Sequence, residues 1–276
     1  MNTKTLDYYL TRDEHSSDHQ KKGELKKLVE LFHENTKTTS ALKPIMAKSI
    51  SHHLTNSSQI YLDSRNKKKY VFNSENKLPK PNTFNSSFEE IIIKRETKTK
   101  FKEEPLTLQE LSDILSSLRV TRVSNLRENA ILNRRTYASA GALFPIEIYG
   151  FQPNKDYTKW DCFNYNPINH SNTVVSKDIS LKELSHALQI ETHKMKCGAI
   201  FILTGVFDRS VSKYGALGYR FALIEAGGII QQLGLAGASM NLKTLTWGGA
   251  LDNSINDLLK IDGIDENYLI SFFVGH

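Results

Sequence analysis

Four short segments carry side chains that can do chemistry together. The first, Lys94-Arg95-Glu96-Thr97-Lys98-Thr99-Lys100-Phe101, gathers cations and hydroxyls in one stretch. An arginine such as Arg95 can grip a phosphate through two parallel N–H bonds, and the hydroxyls of Thr97 and Thr99 can add donors. The same composition also suits a basic helix end that complements the macrodipole. The second segment runs from Arg134 to Pro145 and contains the small residues Ala138, Ser139, Ala140, Gly141 and Ala142. Such a run leaves room for a planar group to lie on the backbone. The plainer account is a tight turn before a strand, although few turns need so many small residues in succession.

The third segment is Lys213-Tyr214-Gly215. Both side chains ordinarily titrate at about pH 10. In a partly desolvated site the ammonium stabilises the phenolate, burial lowers the lysine pKa, and either group can then act as a base near neutral pH. An exposed loop dipeptide is the alternative. The fourth segment is Trp247-Gly248-Gly249-Ala250, where Gly248 and Gly249 permit a backbone N–H to approach a ligand closely.

The elements that must position these segments are legible from caps and periodicity. Ser87 with Glu90, Thr107 with Glu110, and Ser180 with Glu183 are capping-box patterns, each followed by an apolar helical face. Strand-like runs, rich in β-branched and aromatic residues, lie at 146–151, 160–165, 199–206, 242–247 and 268–274. Lys213 and Tyr214 fall in the loop between the strand at 199–206 and a helix over 219–240 that is apolar or small at nearly every position. A helix of that composition is a central one or a subunit interface. An earlier helix places Leu25, Leu28, Leu31 and Phe32 on one face. Residues 73–87 hold two prolines, four asparagines and three serines, which suits a linker. The expected organisation is therefore an extension over 1–80, for docking or substrate capture, and a cofactor-binding domain over 81–276.

Composition narrows the function classes. The chain has 276 residues, of which 39% are hydrophobic and 24% charged, so it can build a substantial core. Its formal charge of +6 reads as a solvated surface with a slight basic bias. No basic segment is interleaved with aromatics, so nucleic acid is not an expected partner. Cys162 and Cys197 form no metal-ligand pattern, and the histidines show no metal spacing, so no metal is expected. The polar N-terminus and the lack of a long apolar run point to a cytoplasmic protein with no membrane partner.

Taken in order, the four segments resemble the nitroreductase-like flavoproteins. More narrowly, they are similar to the SagB/McbC-type dehydrogenases, the azoline oxidases of thiazole- and oxazole-modified peptides. Arg95, Thr97 and Phe101 fit the flavin motif Arg-x-Ser-x-Arg/Lys-x-Phe. Ser139-Ala140-Gly141-Ala142-Leu143-Phe144-Pro145-Ile146-Glu147 resembles the branch signature, with Ala138 where proline is usual. Lys213-Tyr214, followed by Gly218-Tyr219-Arg220 and Glu225-Ala226-Gly227, resembles the region of the branch's Lys-Tyr pair. Trp247-Gly248-Gly249 resembles the loop that meets the flavin ring, and Phe32-His33-Glu34-Asn35-Thr36-Lys37 an N-terminal motif.

The resemblance implies an α+β fold, with a mixed sheet flanked by helices and a central buried interface helix. It implies a homodimer holding FMN at the subunit interface. Arg95, Thr97, Thr99, Ser139, Ala140, Gly141, Ala142, Gly248 and Gly249 would bind the cofactor, with Lys213 and Tyr214 jointly handling a proton. The implied reaction oxidises thiazoline or oxazoline rings of a ribosomally made precursor peptide, in complex with a cyclodehydratase, with oxygen as final acceptor. Two rival readings are an NAD(P)H-dependent nitroreductase on the same fold and a non-catalytic peptide-binding subunit.

Overall fold

The computed structural model describes residues 18–56, 58, 68, 70, 73–127 and 130–276. It divides into two compact units, Met1–Pro44 and Ile45–His276. In the first, helix α1 (Asp18–Asn35) carries the expected apolar face, and Leu25, Leu28, Leu31 and Phe32 on it are all exposed. Helix α2 (Lys43–Thr55) spans the division. The sheet-bearing unit thus begins earlier than the composition boundary near residue 80.

That unit is α+β. Its elements run β1 (Glu75–Lys77), α3 (Phe88–Lys94), α4 (Leu108–Ser116), β2 (Val120–Arg127), β3 (Ala130–Arg135), β4 (Ile146–Pro153), β5 (Lys159–Asn166), β6 (Ser171–Ser180), α5 (Leu181–Leu188), β7 (Ala199–Gly205), α6 (Asp208–Tyr214), α7 (Leu217–Ser239), β8 (Lys243–Trp247), α8 (Asp252–Leu259) and β9 (Asn267–Gly275). Seven strands form one sheet in the order β1-β6-β5-β4-β7-β9-β8, and β2 pairs with β3 as a separate hairpin. A mixed sheet is the sequence expectation, yet every pairing among its named strands is antiparallel. Among the described residues the parallel pairing is an isolated bridge between Thr97 and Thr244.

All three capping boxes form, each with its hydroxyl accepting from the N3 amide and its glutamate reaching back to the cap. A lost cap of this kind costs about 1 kcal/mol, so these pairs fix where α3, α4 and α5 begin.

Strand β7 shows where the core sits. Ala199, Phe201 and Leu203 face α4 and α7, beside Leu111, Ile114, Ile229 and Leu233. Ile200 and Ile202 face α5 and α8, beside Leu184, Leu188, Ile255 and Leu259. The period-two alternation sends neighbours to opposite faces, and helices cover both. This explains why β7 reads as an unbroken apolar run. Each such side chain, fully buried, contributes about 1.5–3 kcal/mol.

Helix α7 is the hinge of the site. Gly218, Ala222, Ala226, Ile229 and Leu233 are buried, whereas Leu223, Ile224, Gly227, Gly228 and Gln231 form an exposed stripe on the opposite side. By length and composition alone it is apolar enough to cross a membrane. Its buried stripe belongs to the core of the unit.

Candidate functional site

The turn between β3 and β4 folds in an unusual way. Gly141, Ala142 and Phe144 all have positive φ, at 64°, 56° and 48°. The left-handed region costs a non-glycine residue about 1–3 kcal/mol, so Ala142 and Phe144 must be held there by their surroundings. The Phe144 amide donates to the Ser139 hydroxyl at 2.9 Å, and the Arg209 guanidinium donates to the Phe144 carbonyl at 2.9 Å. Arg209 in turn pairs with the buried Glu147 at 2.6 Å. The Arg135 guanidinium lies 4.1 Å from the centre of the Phe144 ring.

Gly141 needs its missing side chain for space as well as for φ. A Cβ built there would stand 2.5 Å from the Tyr214 phenol oxygen and 3.0 Å from Lys213 Nζ. The small-residue turn and the Lys-Tyr pair, 72 positions apart by subtraction of their numbers, therefore meet in space.

Lys213 and Tyr214 are not in a loop, as the sequence suggests, but in the last turn of α6. This helix is seven residues long and has no capping side chain, so it leaves little periodic signal. Lys213 is buried, and Tyr214 is half-buried with its ring edge-on to Phe221. Lys213 Nζ lies 5.5 Å from the centre of the Tyr214 ring. Desolvation pushes the Tyr214 pKa above its ordinary value. The phenol is thus favoured over the phenolate, opposite to the expectation that Lys213 stabilises a Tyr214 anion. Ser49 on α2 donates to the Lys213 carbonyl at 3.1 Å, which satisfies an orphan acceptor at the end of α6.

Arg95 occupies a second place. With Lys94, Lys243, Thr244, Gly234 and Ala238 it lines a cavity of about 250 Å³ between α3, α7 and β8. The strand-like bridge from Thr97 to Thr244 and the Lys98 amide bond to the Thr244 carbonyl fix this segment against the sheet. Thr97 and Thr99 are exposed and lie outside the cavity lining. Gly234 lets the Arg95 stem lie across α7, with Cγ and Cδ 3.9 Å from where a Cβ would be. Gly248 and Gly249 stand exposed just past the end of β8, where the Trp247 indole donates to the Leu188 carbonyl.

The structure thus joins Gly141 to Lys213 and Tyr214, and Arg95 to β8 and α7. It ties Gly248 and Gly249 to the Arg95 side only through β8. Helix α7 runs under both groups, with Glu225 near the turn and Gly234 under Arg95. Nine residues of helix separate them, or about 14 Å at the usual rise.

A model of the nitroreductase family matches residues 92–276. The chain belongs to the nitroreductase family. The match covers every expected cofactor residue and the Lys-Tyr pair. A protein of Methanocaldococcus jannaschii named as a nitroreductase is 30% identical over 63% of this chain and 84% of its own length. The microcin B17-processing protein McbC of Escherichia coli is 26% identical over 51% of this chain and 54% of its own. The chain therefore aligns with about half of McbC. Two solved structures share the fold. One is an Anabaena variabilis protein described as a nitroreductase (TM-score 0.65, 20% identity, 89% of this chain and 45% of that one). The other is a chain of the E. coli microcin synthetase McbBCD complex with truncated pro-MccB17 bound (TM-score 0.59, 20% identity, 96% of this chain and 99% of that one).

Lys243, Thr244 and Arg209 belong to no motif legible in the sequence, and Arg135 and Glu147 enter only inside longer motifs. Glu225 likewise enters only as part of a motif, yet it is the one carboxylate in a helix that is apolar or small at most positions.

Proposed function

We propose that this chain binds FMN and oxidises thiazoline or oxazoline rings of a ribosomally made precursor peptide to thiazoles or oxazoles. The observation that carries the reading is the close approach of Gly141 to Lys213 and Tyr214. It puts a proton-handling pair against a stretch of backbone shaped to accept a flat ligand. The similarity to McbC supports the peptide chemistry.

The residues present fit FMN. Arg95, Lys94 and Lys243 supply cations for a phosphate, and the absence of a side chain at Gly141 lets Lys213 and Tyr214 lie against the turn. Bound there, FMN supplies the two-electron acceptor. The protein's part is to move a proton. An azoline ring must lose a carbon-bound proton as well as hydride. Tyr214, its pKa raised by burial, keeps its own proton at neutral pH and can hold the ring heteroatom by a hydrogen bond. Lys213, buried beside it, is the other proton-handling group of the pair.

The two site groups lie along opposite parts of α7, with the exposed apolar stripe between them. A homodimer formed through that stripe would cover it and complete the site. The extension over 1–80 would dock the precursor peptide or a cyclodehydratase partner, in keeping with the uncovered apolar face of α1. These partners and a cytoplasmic location belong to the same reading.

The test is a visible spectrum of the purified protein, then mass spectrometry of azoline peptide incubated with it. A yellow protein that removes about 2 Da per ring, two hydrogens, is the expected result. The similarity to the M. jannaschii protein favours a second reading, an NAD(P)H-dependent nitroreductase. Rapid flavin-dependent NAD(P)H consumption with no change in peptide mass would select it.

A further inference from the structure

We propose that Glu225 is a positioning residue of the flavin site. Its buried carboxyl, set beneath Ser139, holds residues 139–144 in the conformation that brings Gly141 against Lys213 and Tyr214. The inference rests on the reading of this turn as part of an FMN site.

Glu225 stands on the buried face of α7 and is 3% exposed. Ser139 and the Ile146 amide are the hydrogen-bonding groups that act on it, yet among the described residues neither carboxylate oxygen completes a well-formed hydrogen bond. The buried Glu266 provides the contrast. It accepts from Tyr149 at 2.8 Å and Thr204 at 2.7 Å, and pairs with Lys68 at 2.5 Å. Glu266 is a finished structural network. Glu225 is a carboxyl with acceptor capacity to spare, placed near a turn that holds three residues, Gly141, Ala142 and Phe144, at positive φ.

The groups acting on Glu225 come from several elements. Arg135 faces it from β3 and Arg209 from α6, with Ser139 in the turn and Ile146 at the start of β4. Glu147 and Tyr137 belong to the same cluster, since both carboxylates act on the Tyr137 phenol, which accepts from Arg135 at 2.6 Å. Ionised, Glu225 draws Arg135 and Arg209 inward and accepts from Ser139, which closes the turn from below. Protonated, it loses the first interaction and weakens the second. Burial raises its pKa to about 7, so both forms are populated at neutral pH.

The experiment compares wild type with Glu225→Gln, which keeps the shape and removes the charge. FMN is titrated into flavin-stripped protein from about pH 5.5 to 8.5, following flavin fluorescence. The FMN phosphate titrates near pH 6 in both proteins, so the difference between them isolates Glu225. Wild-type affinity should rise through neutral pH by about tenfold more than that of the variant, the scale of one charge-assisted contact. In thermal unfolding without flavin, wild type should lose stability relative to the variant between about pH 4.5 and 7. An acid whose folded pKa is raised is penalised as the unfolded chain ionises first. Parallel affinity profiles, with flavin bound by both proteins, overturn the inference and leave the FMN reading intact. No FMN binding by wild type overturns that reading and this role together. If Glu225→Gln does not fold, Glu225→Asp decides. It retracts the charge and should bind FMN more weakly with the pH dependence kept, whereas unchanged affinity overturns the proposal.

Discussion

The Tyr214 phenol oxygen stands 2.5 Å from the point a Cβ on Gly141 would occupy. Two segments far apart in sequence are thereby locked to one geometry, and the lock is sensitive to a single methyl group. Gly141→Ala should displace Tyr214 and strain a residue at φ 64°. The backbone term alone costs about 1–2 kcal/mol. A displacement near 1 Å at a reacting centre costs about 100-fold in rate. Chemical denaturation and turnover of azoline peptide measure the two effects. An alanine variant with wild-type turnover would remove the turn from the site.

Lys213→Ala and Tyr214→Phe should each lower turnover by about 10²–10⁴-fold, the contribution of a well-placed proton-transfer group. Both variants should remain folded and yellow, because neither residue lines the Arg95 cavity. The pH profile of Tyr214 has a definite sign. Its raised pKa keeps the phenol protonated through neutral pH, so any loss of activity from its ionisation lies on the alkaline side. That alkaline limb should be absent in Tyr214→Phe. If both variants lose the flavin, the pair belongs to cofactor binding and not to proton transfer.

The Arg95 cavity predicts a different phenotype. Removing a charge-assisted contact to phosphate costs about 1.5–3 kcal/mol. Arg95→Ala should therefore weaken FMN binding by about 10- to 150-fold, and Lys243→Ala by less, since a lysine holds phosphate as a point charge. Turnover at saturating FMN should be largely preserved in both. Thr99→Ala should change little, because Thr99 is exposed and does not line the cavity. Fluorescence titration separates the three. An Arg95→Ala variant that binds FMN as wild type does would move the phosphate elsewhere.

How much of this was legible in the sequence depended on how local its cause was. The helix starts at Phe88, Leu108 and Leu181 were read correctly because a cap and its N3 glutamate lie three residues apart. Strand β7 was read correctly because burial on both faces leaves an unbroken apolar run. Strand β6 was missed, since Ser171–Ser180 is mostly polar and earns its place through pairing with β5 and β1. Residues 73–87 read as a linker, yet Glu75–Lys77 adds an edge strand, and the Glu75 carboxylate accepts from Asn166, Asn169 and Ser171. Asn82 likewise binds Asp113 through both its amide groups. Tertiary partners override local composition there. In the site, the residue types and order of the motifs were legible. The meeting of Gly141 with Lys213 was not, because it depends on α6 folding back beside the turn.

The exposed stripe on α7 carries the last prediction. Leu223 is 42% and Ile224 70% exposed, and Gly227 and Gly228 between them and Gln231 have no atom near the place of a Cβ. Nearby α3, which packs on α7, exposes Phe88, Ile92 and Ile93 as well. Scattered apolar residues on a surface need no explanation, but an exposed apolar stripe along one helix, with further exposed apolar residues on a helix packed against it, suits an interaction site. Glycines at its centre allow a second helix to approach closely, which offsets the roughly 1 kcal/mol each costs inside a helix. The expected occupant is a second copy of the same helix, since a two-fold interface is self-complementary. Ile224→Glu would place two like charges in that interface. Sedimentation equilibrium at micromolar concentration should show a dimer for wild type and a monomer for the variant, with Gly228→Leu giving the same shift through bulk alone. If the site is completed across the interface, FMN affinity should fall in step with dimer dissociation. A wild-type protein that is monomeric with FMN bound would refute both the interface and the shared site.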